Sequence, residues 1–507
     1  MSTTANRIIK NAGWLYAKMG ITMFISLYTT RLVLNSLGAS DFGVYNIVGG
    51  AISMLGFLNA AMASATQRFM NFTEGAGDAK KKNTIFNISI LIHTLLSVIV
   101  GIGLLITGYI LFNGVLNIPD NRQFASYVVY GSMVISTMLT ITTVPYDAVL
   151  NSHENMKYYA LVGLGESLLK LTVAFVCVYS VFDKLIIYGI LMSCIPFVTL
   201  TIERIYCHSH YAECTLSIRK RWDKNVFKEM TSFAGWNLMG TAVTMVSNSG
   251  VGIIMNMFFG TIVNAAQGVS QQICGQLMAV TTTMAKAVNP VITKAAGAGD
   301  KARFHQMAIT SSKVFFFLCS VIAIPAIITM PEIMRLWLKN VPEFAVFFAQ
   351  CQLVIILCEQ LVSGLNTSIT ATGNIRNSII AKSIVRVAYL PIIYLMFSVG
   401  FGPISSYIVL FIIHGIINQM LLSTYFAYKL ADFDWKHYSR KVFAPALTVF
   451  LLVLVTGHYL SLLFGGIIQI IVISIASIFE YTILYYIVVF DIVEKHLVKG
   501  LFKKLNY

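Results

Sequence analysis

EGAGDAK, residues 74–80, returns 222 positions later as AGAGDKA, residues 296–302. The same offset carries NAGW at 11–14 onto FAGW at 233–236. Without a gap it also pairs Thr22 with Thr244, Met23 with Met245, Gly38 with Gly260 and Met62-Ala63 with Met284-Ala285. With the offset grown to 223, NIPD at 117–120 meets NVPE at 340–343. A single glycine-rich echo means little, but several at one spacing mark a duplicated unit. The chain reads as two halves in tandem.

Composition says what kind of halves. Of 507 residues, 57% are hydrophobic and only 11% charged, with a mean hydropathy of +0.75. That is too apolar for a soluble globule of this length. The apolar runs are long and unbroken, which selects helices over barrel strands of about ten alternating residues. Fourteen apolar spans follow: 11–35, 44–72, 84–112, 124–150, 157–182, 184–206, 229–258, 262–293, 305–330, 344–371, 377–398, 403–428, 442–463 and 466–490. The expected fold is an all-α polytopic membrane protein. Its parts are an N-lobe of six helices over 1–206, a cytosolic basic linker at 207–228 and a C-lobe of six helices over 229–430. A cytosolic loop at 431–441, two added helices in 442–490 and a basic tail at 491–507 complete it. Both halves begin on the same side, so the repeat is parallel, with its pseudo-two-fold axis along the membrane normal and a cavity expected between the halves.

Charge sets the orientation. With the N-terminus inside, 24 of the 36 Lys and Arg fall on the cytosolic side, 4 outside and 8 within spans. This is the bias of the positive-inside rule, and an even number of spans puts the C-terminus in the cytosol too. The formal charge of +15 then reflects loops facing anionic membrane lipids and calls for no nucleic acid. The first apolar span is too long for a cleavable signal peptide. No cysteine falls in an external loop, so structural disulfides are not expected. CHSHYAEC, 207–214, gathers Cys207, His208, His210 and Cys214, but at an irregular spacing that fits a solvated loop better than a metal site.

Polar residues then fall in stripes on otherwise apolar helices, as the lining of a water-filled lumen would. Asn11, Lys18, Thr22 and Thr29 share one face of the first span, within about 40° at 100° per residue. Asn237, Thr241, Thr244 and Asn248 repeat the pattern in the seventh. Ser136, Thr140, Thr143 and Asp147 line the fourth, and Gln352, Glu359, Ser363, Asn366 and Thr370 the tenth. In SIIAKSIVRVAYLPIIYLMF, 378–397, Lys382 and Arg386 lie one turn apart with Tyr389 continuing their face. A cation at the centre of a membrane helix costs roughly 2.5–3.5 kcal/mol, so both are expected to face the lumen. Glu166 and Lys170 form an i, i+4 pair, and Lys286 and Lys18 lie in the cytosolic halves of their spans. Arg31 is a further lumenal candidate near the outer end. Lys18, Lys170, Lys286, Lys382 and Arg386 outnumber Asp147, Glu166 and Glu359, a balance that suits an anionic cargo such as a phosphate or diphosphate. The three acids are candidates for coupling to H+ or Na+. No other cofactor is indicated.

The stretches TRLVLNSLGASDFGVYNIVGG at 30–50 and VPYDAVLNSHENMKYYALVGLGESLLKL at 144–171, together with the duplicated plan, resemble the Wzx-type polysaccharide flippases. These O-antigen and lipid-linked oligosaccharide carriers belong to the MOP exporter superfamily, which also holds the MATE proteins. The resemblance implies translocation of undecaprenyl-diphosphate-linked oligosaccharide from the inner to the outer leaflet of the bacterial cytoplasmic membrane by rocking of two lobes. The partners implied are the lipid-linked glycan, membrane lipids and other polysaccharide-assembly proteins of the lipopolysaccharide type. A MATE-type multidrug or cation antiporter usually carries an acid in the first helix, where this chain has Lys18 and Arg31. A membrane-embedded glycosyltransferase or polymerase is the other alternative. DFD at 432–434 has the spacing of a metal-binding carboxylate pair, but it sits in a short turn where helix capping is the better reading. No Walker A pattern is present, and the chain is expected to be a transporter and not an enzyme.

Overall fold

The glycines of the repeated stretch break helices at matching places. A computed structural model describes residues 2–53, 56–113, 120–217, 222–338, 341–492 and 494–495. Gly77 (φ 71°) and Gly299 (φ 70°) both occupy the left-handed region that glycine alone enters without strain. Each ends a helix, its N–H bonding to Glu74 O at 3.2 Å and to Ala296 O at 3.1 Å. The next residue then caps the following helix. Asp78 accepts from Lys81 N at 2.9 Å and Asp300 from Arg303 N at 3.0 Å, each satisfying an orphan N–H of the first turn. EGAGDAK and AGAGDKA are thus one stop-and-restart device used twice.

The helices run as α1 (Ser2–Ser53), α2 (Gly56–Ala76), α3 (Ala79–Phe112), α4 (Gln123–Ser152), α5 (Met156–Tyr179) and α6 (Lys184–His210). Then come α7 (Lys224–Gly297), α8 (Lys301–Trp337), α9 (Ala345–Leu361), α10 (Ser363–Thr372) and α11 (Arg376–Ser398). The last are α12 (Pro403–Ala431), α13 (Trp435–Ser461) and α14 (Gly466–Val488). No strand occurs among the described residues. A membrane crossing takes about 20 residues, so α1 with 52 and α7 with 74 are each longer than one crossing needs. Both are broken at one glycine: Gly38 (φ 78°, ψ 167°) and Gly260 (φ 74°, ψ −166°), again 222 positions apart.

Ten stretches among the described residues are long and apolar enough to cross a membrane, or eleven with α9 and α10 counted as one span bent by 50°. The predicted spans 11–35 and 262–293 are helical too. They are not among those ten; the first carries Lys18 and Arg31, and the second Gln267, Gln271, Gln276, the threonines 281–283 and Lys286. Span 44–72 is shared by α1 and α2 across residues 54–55. The bend at Val362 corrects the expectation of one continuous tenth helix: Val362 leaves helical geometry (φ −115°, ψ 9°). NIPD, NVPE and the tail lie partly outside the described residues.

The chain divides into two compact units, one Ile9–Leu238 and the other Met239–Tyr507 with Met1–Ile8. In the first, α4 is the core helix. Val129, Tyr130, Val134 and Ile141 pack with Val100, Leu104 and Leu185, and close approach is set by Gly189 against Val129 and Gly108 against the Tyr130 ring. At one end Arg122 joins Asp41 and Asp183, the latter at 2.7 Å, tying α1 just past its break at Gly38 to the segments that precede α4 and α6. In the second unit α8 is central. A Cβ at Gly364 would meet Ala308 O at 2.0 Å, and Gly364 N bonds to Ser312 Oγ at 2.9 Å. Lys313, 1% exposed, reaches Glu494 Oε2 at 2.8 Å and Asp491 Oδ2 at 3.3 Å.

The helix breaks make a direct test. A Cβ at Gly38 or Gly260 would meet no atom within 4 Å, so only the backbone resists it. Gly38→Ala and Gly260→Ala should each cost about 1–3 kcal/mol and lower the thermal unfolding midpoint in detergent. Gly20→Ala, equally open but helical, should be neutral or stabilising. Equal midpoints for the three variants would show that the breaks need no glycine.

Candidate functional site

The site grows from α11. Its register puts Lys382, Arg386 and Tyr389 on one face, and α12 lies against that face. From Phe411 to Leu422 α12 winds as a wider π-helix, a departure often found at functional sites. That stretch presents His414, Asn418 and Gln419. Asn418 Nδ2 donates to Lys382 O at 2.9 Å, joining the two helices backbone to side chain.

The two cations are held by neutral groups. Lys382 Nζ donates to Asn366 Oδ1 at 2.7 Å and to Ser423 Oγ at 2.9 Å. The Arg386 guanidinium donates to Thr244 Oγ1 and to His414 Nε2, the latter at 2.7 Å. A guanidinium can only donate, so Nε2 accepts and the His414 proton sits on Nδ1. Thr244 passes its own proton to Gly240 O at 2.8 Å, which leaves its oxygen aimed at Arg386. Among the described residues no carboxylate lies within 4.0 Å of either cation. Glu359 is their electrostatic partner from farther off.

Two cavities open on these residues. One, of about 200 Å³, is lined by Thr244, Glu359, Asn366, Lys382, Arg386, His414, Asn418 and Gln419. The other, of about 220 Å³, shares Glu359, Arg386 and His414 but is otherwise neutral: Ser247, Asn248, Gln267, Gln271, Gln352, Tyr389 and Tyr407. Tyr389 donates to Ser406 O at 3.0 Å, and Tyr407 stacks on Phe348 at 3.9 Å and accepts from Gln352 at 3.2 Å. These contacts fix the wall in one conformation.

The remaining sequence candidates distribute unevenly. Lys18 lies over the Tyr159 ring at 4.2 Å, in the space left by Gly163. Lys170 pairs with Glu166 at 2.6 Å, both half-buried. Asp147, Lys18 and Glu166 lie within electrostatic reach of Glu203, an acid that sequence reasoning missed; it is 3% exposed with one oxygen lacking a hydrogen-bond partner. Thr22 bonds within its own helix, to Met19 O at 3.1 Å, and Asn237 is half-buried in the first unit. Arg31 and Lys286 are exposed, and neither lines the cavities above. Thr140 and Thr143 bond back to carbonyls of their own helix. His414, Asn418, Gln267 and Gln271 were also missed, although both pairs carry an i, i+4 spacing.

A second polar cluster joins four segments of the first unit. Lys82 bonds to Glu74, lies 2.8 Å from Glu213 Oε1 and sits 3.3 Å from His153 Nε2. Glu74, His153 and Glu213 could offer three metal ligands within 4.8 Å of one another, but the Lys82 ammonium already stands among them. Cys207 and His208 turn instead toward Tyr146, and His210 stacks on Tyr206. Asp434 caps the helix after it, accepting from Lys436 N at 2.9 Å.

No protein-family model and no curated protein matches this sequence. Solved structures do match its fold. A MATE protein in a bent conformation superposes with a TM-score of 0.73 at 12% identity, over 85% of this chain and 96% of its own. An outward-facing multidrug resistance MATE family transporter of the MOP superfamily gives 0.71 at 12% identity, over 85% and 96%. A MOP superfamily transporter from Pyrococcus furiosus gives 0.70 at 12%, over 84% and 96%. At such identity the likeness establishes the fold: a multi-pass membrane protein built as the MATE and MOP superfamily transporters are.

The Lys82 cluster yields a pH test. Burial would raise the Glu213 carboxyl, but hydrogen bonds with His153 and Lys82 outweigh it and hold the group at about 2, below its ordinary 4.5. The unfolded chain therefore binds that proton more tightly, and the stability present above about pH 4.5 is lost as pH falls toward 2. Glu213→Gln should cost about 1.5–3 kcal/mol at neutral pH, because Lys82 loses one of its two carboxylates and keeps Glu74. Its unfolding midpoint should then fall less steeply than that of the wild type between pH 5 and pH 3. Parallel curves would remove Glu213 from the acid response.

Proposed function

We propose that the chain is a flippase that moves undecaprenyl-diphosphate-linked oligosaccharide from the inner to the outer leaflet of the bacterial cytoplasmic membrane. It works by alternating access, is driven by H+ or Na+, and serves polysaccharide assembly of the O-antigen or lipopolysaccharide kind. One observation carries this reading: Lys382 and Arg386 face a cavity while bonded only to neutral partners. Two cations with a single nearby acid leave a positive charge that a diphosphate would neutralise through charge-assisted hydrogen bonds. An arginine fork suits a phosphate edge, and a lysine adds a point charge.

The Pyrococcus furiosus neighbour has been described as having a binding pocket of reversed polarity that suggests a different function. A positive pocket in this chain is consistent with the same kind of divergence from drug export. The competing reading, a multidrug or cation antiporter, would use Glu359, which borders both cavities. The two cations beside it oppose that use. Glu359, Glu166 and Asp147 are the acids proposed for ion coupling, and Lys18 and Lys170 would add positive charge along the route. Both termini are proposed to be cytosolic, with the basic loops against anionic lipid.

Replacing Lys382 and Arg386 together by Gln tests this. Each charge-assisted contact is worth roughly 1.5–3 kcal/mol, so losing both should weaken cargo binding by at least about a hundredfold. Membrane abundance should persist, because Asn366, Ser423 and Thr244 can bond an amide as well as a cation. The readout is glycan export in a flippase-deficient strain beside the protein's membrane level. Lost export at normal abundance supports the proposal. Normal export overturns it, and parallel loss of protein and export would assign the cations to stabilising Glu359.

A further inference from the structure

The last two helices hold one acid where none is expected. Across 444–461 of α13 and 466–488 of α14 the only Asp or Glu is Glu480, and there is no Lys or Arg. Glu480 stands 14 residues from Gly466 and eight from Val488 in a helix of 23 residues, about 21 Å and about 12 Å from its ends. The helix is long enough to cross a hydrocarbon core of about 30 Å, which puts the carboxyl well inside it, beyond the reach of a lipid headgroup. An acid at that depth is costly, and where one is kept it marks a partner or a function.

Glu480 does not serve the packing of these helices on α8, which uses other faces. A Cβ at Gly457 would meet Ile328 Cδ1 at 2.5 Å, and Tyr485 donates to Lys313 O at 2.8 Å. Thr456 lies about 100° from Gly457 around α13, and Glu480 about 140° from Tyr485 around α14. The two meet in the seam between α13 and α14, Thr456 exposed and Glu480 half-buried. Thr456 Oγ1 is 3.0 Å from Glu480 Oε1, 2.9 Å from Oε2 and 3.2 Å from Val453 O. One hydroxyl proton serves one of these acceptors at a time, whereas a carboxylate has about four acceptor sites. Thr456 is its only hydrogen-bond partner among the described residues.

Charge complementarity selects the occupant. A second copy meeting this seam across a two-fold axis would set Glu480 against Glu480. His458 cannot relieve that contact, because it lies about 200° around α13 from Thr456. A basic side chain on another membrane helix would complement the acid, and pairing would take both charges out of lipid. We infer that the seam of α13 and α14 docks a membrane-spanning helix of another protein, one that carries a Lys or Arg inside the hydrocarbon core, with Glu480 and Thr456 as its anchor. Leu452, Ile483 and Ile487, all exposed, supply apolar contact on either side of the anchor. Ala476, one turn from Glu480, lets a helix approach closely. The docking role does not depend on which cargo the protein carries.

The test uses the full-length protein in lipid vesicles and two synthetic polyleucine helices of about 20 residues, one with a central Lys and one with Leu in its place. Energy transfer from labelled protein to labelled helix reads their association. The wild type should bind the lysine helix about tenfold more tightly than the leucine helix, the worth of one charge-assisted contact. Glu480→Leu should bind both helices equally. Glu480→Gln, which keeps the bond to Thr456 but not the charge, should retain a preference of about threefold or less. Both variants should match or exceed the thermal midpoint of the wild type. A midpoint lowered in either variant would assign the pair to stapling α13 to α14 and overturn the docking role. Equal wild-type affinity for the two helices, or a preference that survives Glu480→Leu, would overturn it too. Energy transfer between differently labelled copies of the protein, present in the wild type and lost in Glu480→Leu, would give the seam to a second copy and so overturn the inference.

Discussion

A positive charge inside an apolar helix bundle has to be met by hydrogen-bond acceptors, and the second unit is arranged around meeting two of them. Lys382 and Arg386 occupy successive turns of α11, where lipid contact would be expensive. Their four partners come from three other helices: Asn366 in α10, Ser423 and His414 in α12, and Thr244 in α7. Asn366 and His414 lie beside departures from regular helix. The bend at Val362 turns α10 relative to α9, and the π-helical stretch widens α12 where His414 and Asn418 project. Regular helices would satisfy the backbone equally well, so the irregularity serves the side chains. Because all four partners are uncharged, the cations are solvated without being neutralised. That distinction separates a binding site from a structural ion pair. Lys313 with Glu494 and Asp491 shows the structural alternative in the same unit: a buried ammonium fully met by carboxylates.

The duplication preserves backbone devices and lets chemistry drift. Gly38 and Gly260, Gly77 and Gly299, and Asp78 and Asp300 keep the same geometry at one offset. Side chains at equally matched positions do not keep their roles. Glu74 and Lys82 belong to a buried ion cluster, while Ala296 and Phe304 take their places in the second copy. Thr22 bonds to its own helix, whereas Thr244 holds Arg386. Lys18 is matched by Gly240, which lines the cationic cavity. Breaks and caps constrain the backbone in every conformation the fold adopts, so each copy retains them. A polar side chain is free to change once its partner does.

Much of this was legible in the sequence, for identifiable reasons. Apolar runs of membrane length and a fixed offset are long-range signals that local exceptions do not erase, and they gave the helical class and the duplicated plan. Lys382, Arg386, Glu359, Thr244, Asn248 and Asn366 could be singled out because a charge or amide on an apolar helix is conspicuous. What could not be read was which of those groups meet. The bend at Val362 is marked only by Gly364 two residues on, which reads equally well as a packing glycine, and the π-helical winding of α12 leaves no mark in HGIINQ. The Lys82 cluster is assembled from residues 74, 82, 153 and 213, too far apart for any spacing rule.

The central claim is that the cargo's negative charge is held by Lys382 and Arg386. The most direct measurement is an experimental structure of the wild-type protein in a lipid bilayer with undecaprenyl diphosphate added. The account predicts phosphate density within hydrogen-bonding distance of Lys382 Nζ and the Arg386 guanidinium, with Asn366, Ser423 and Thr244 still flanking them. Phosphate density held elsewhere, with these two cations still bonded only to their neutral partners, would contradict it.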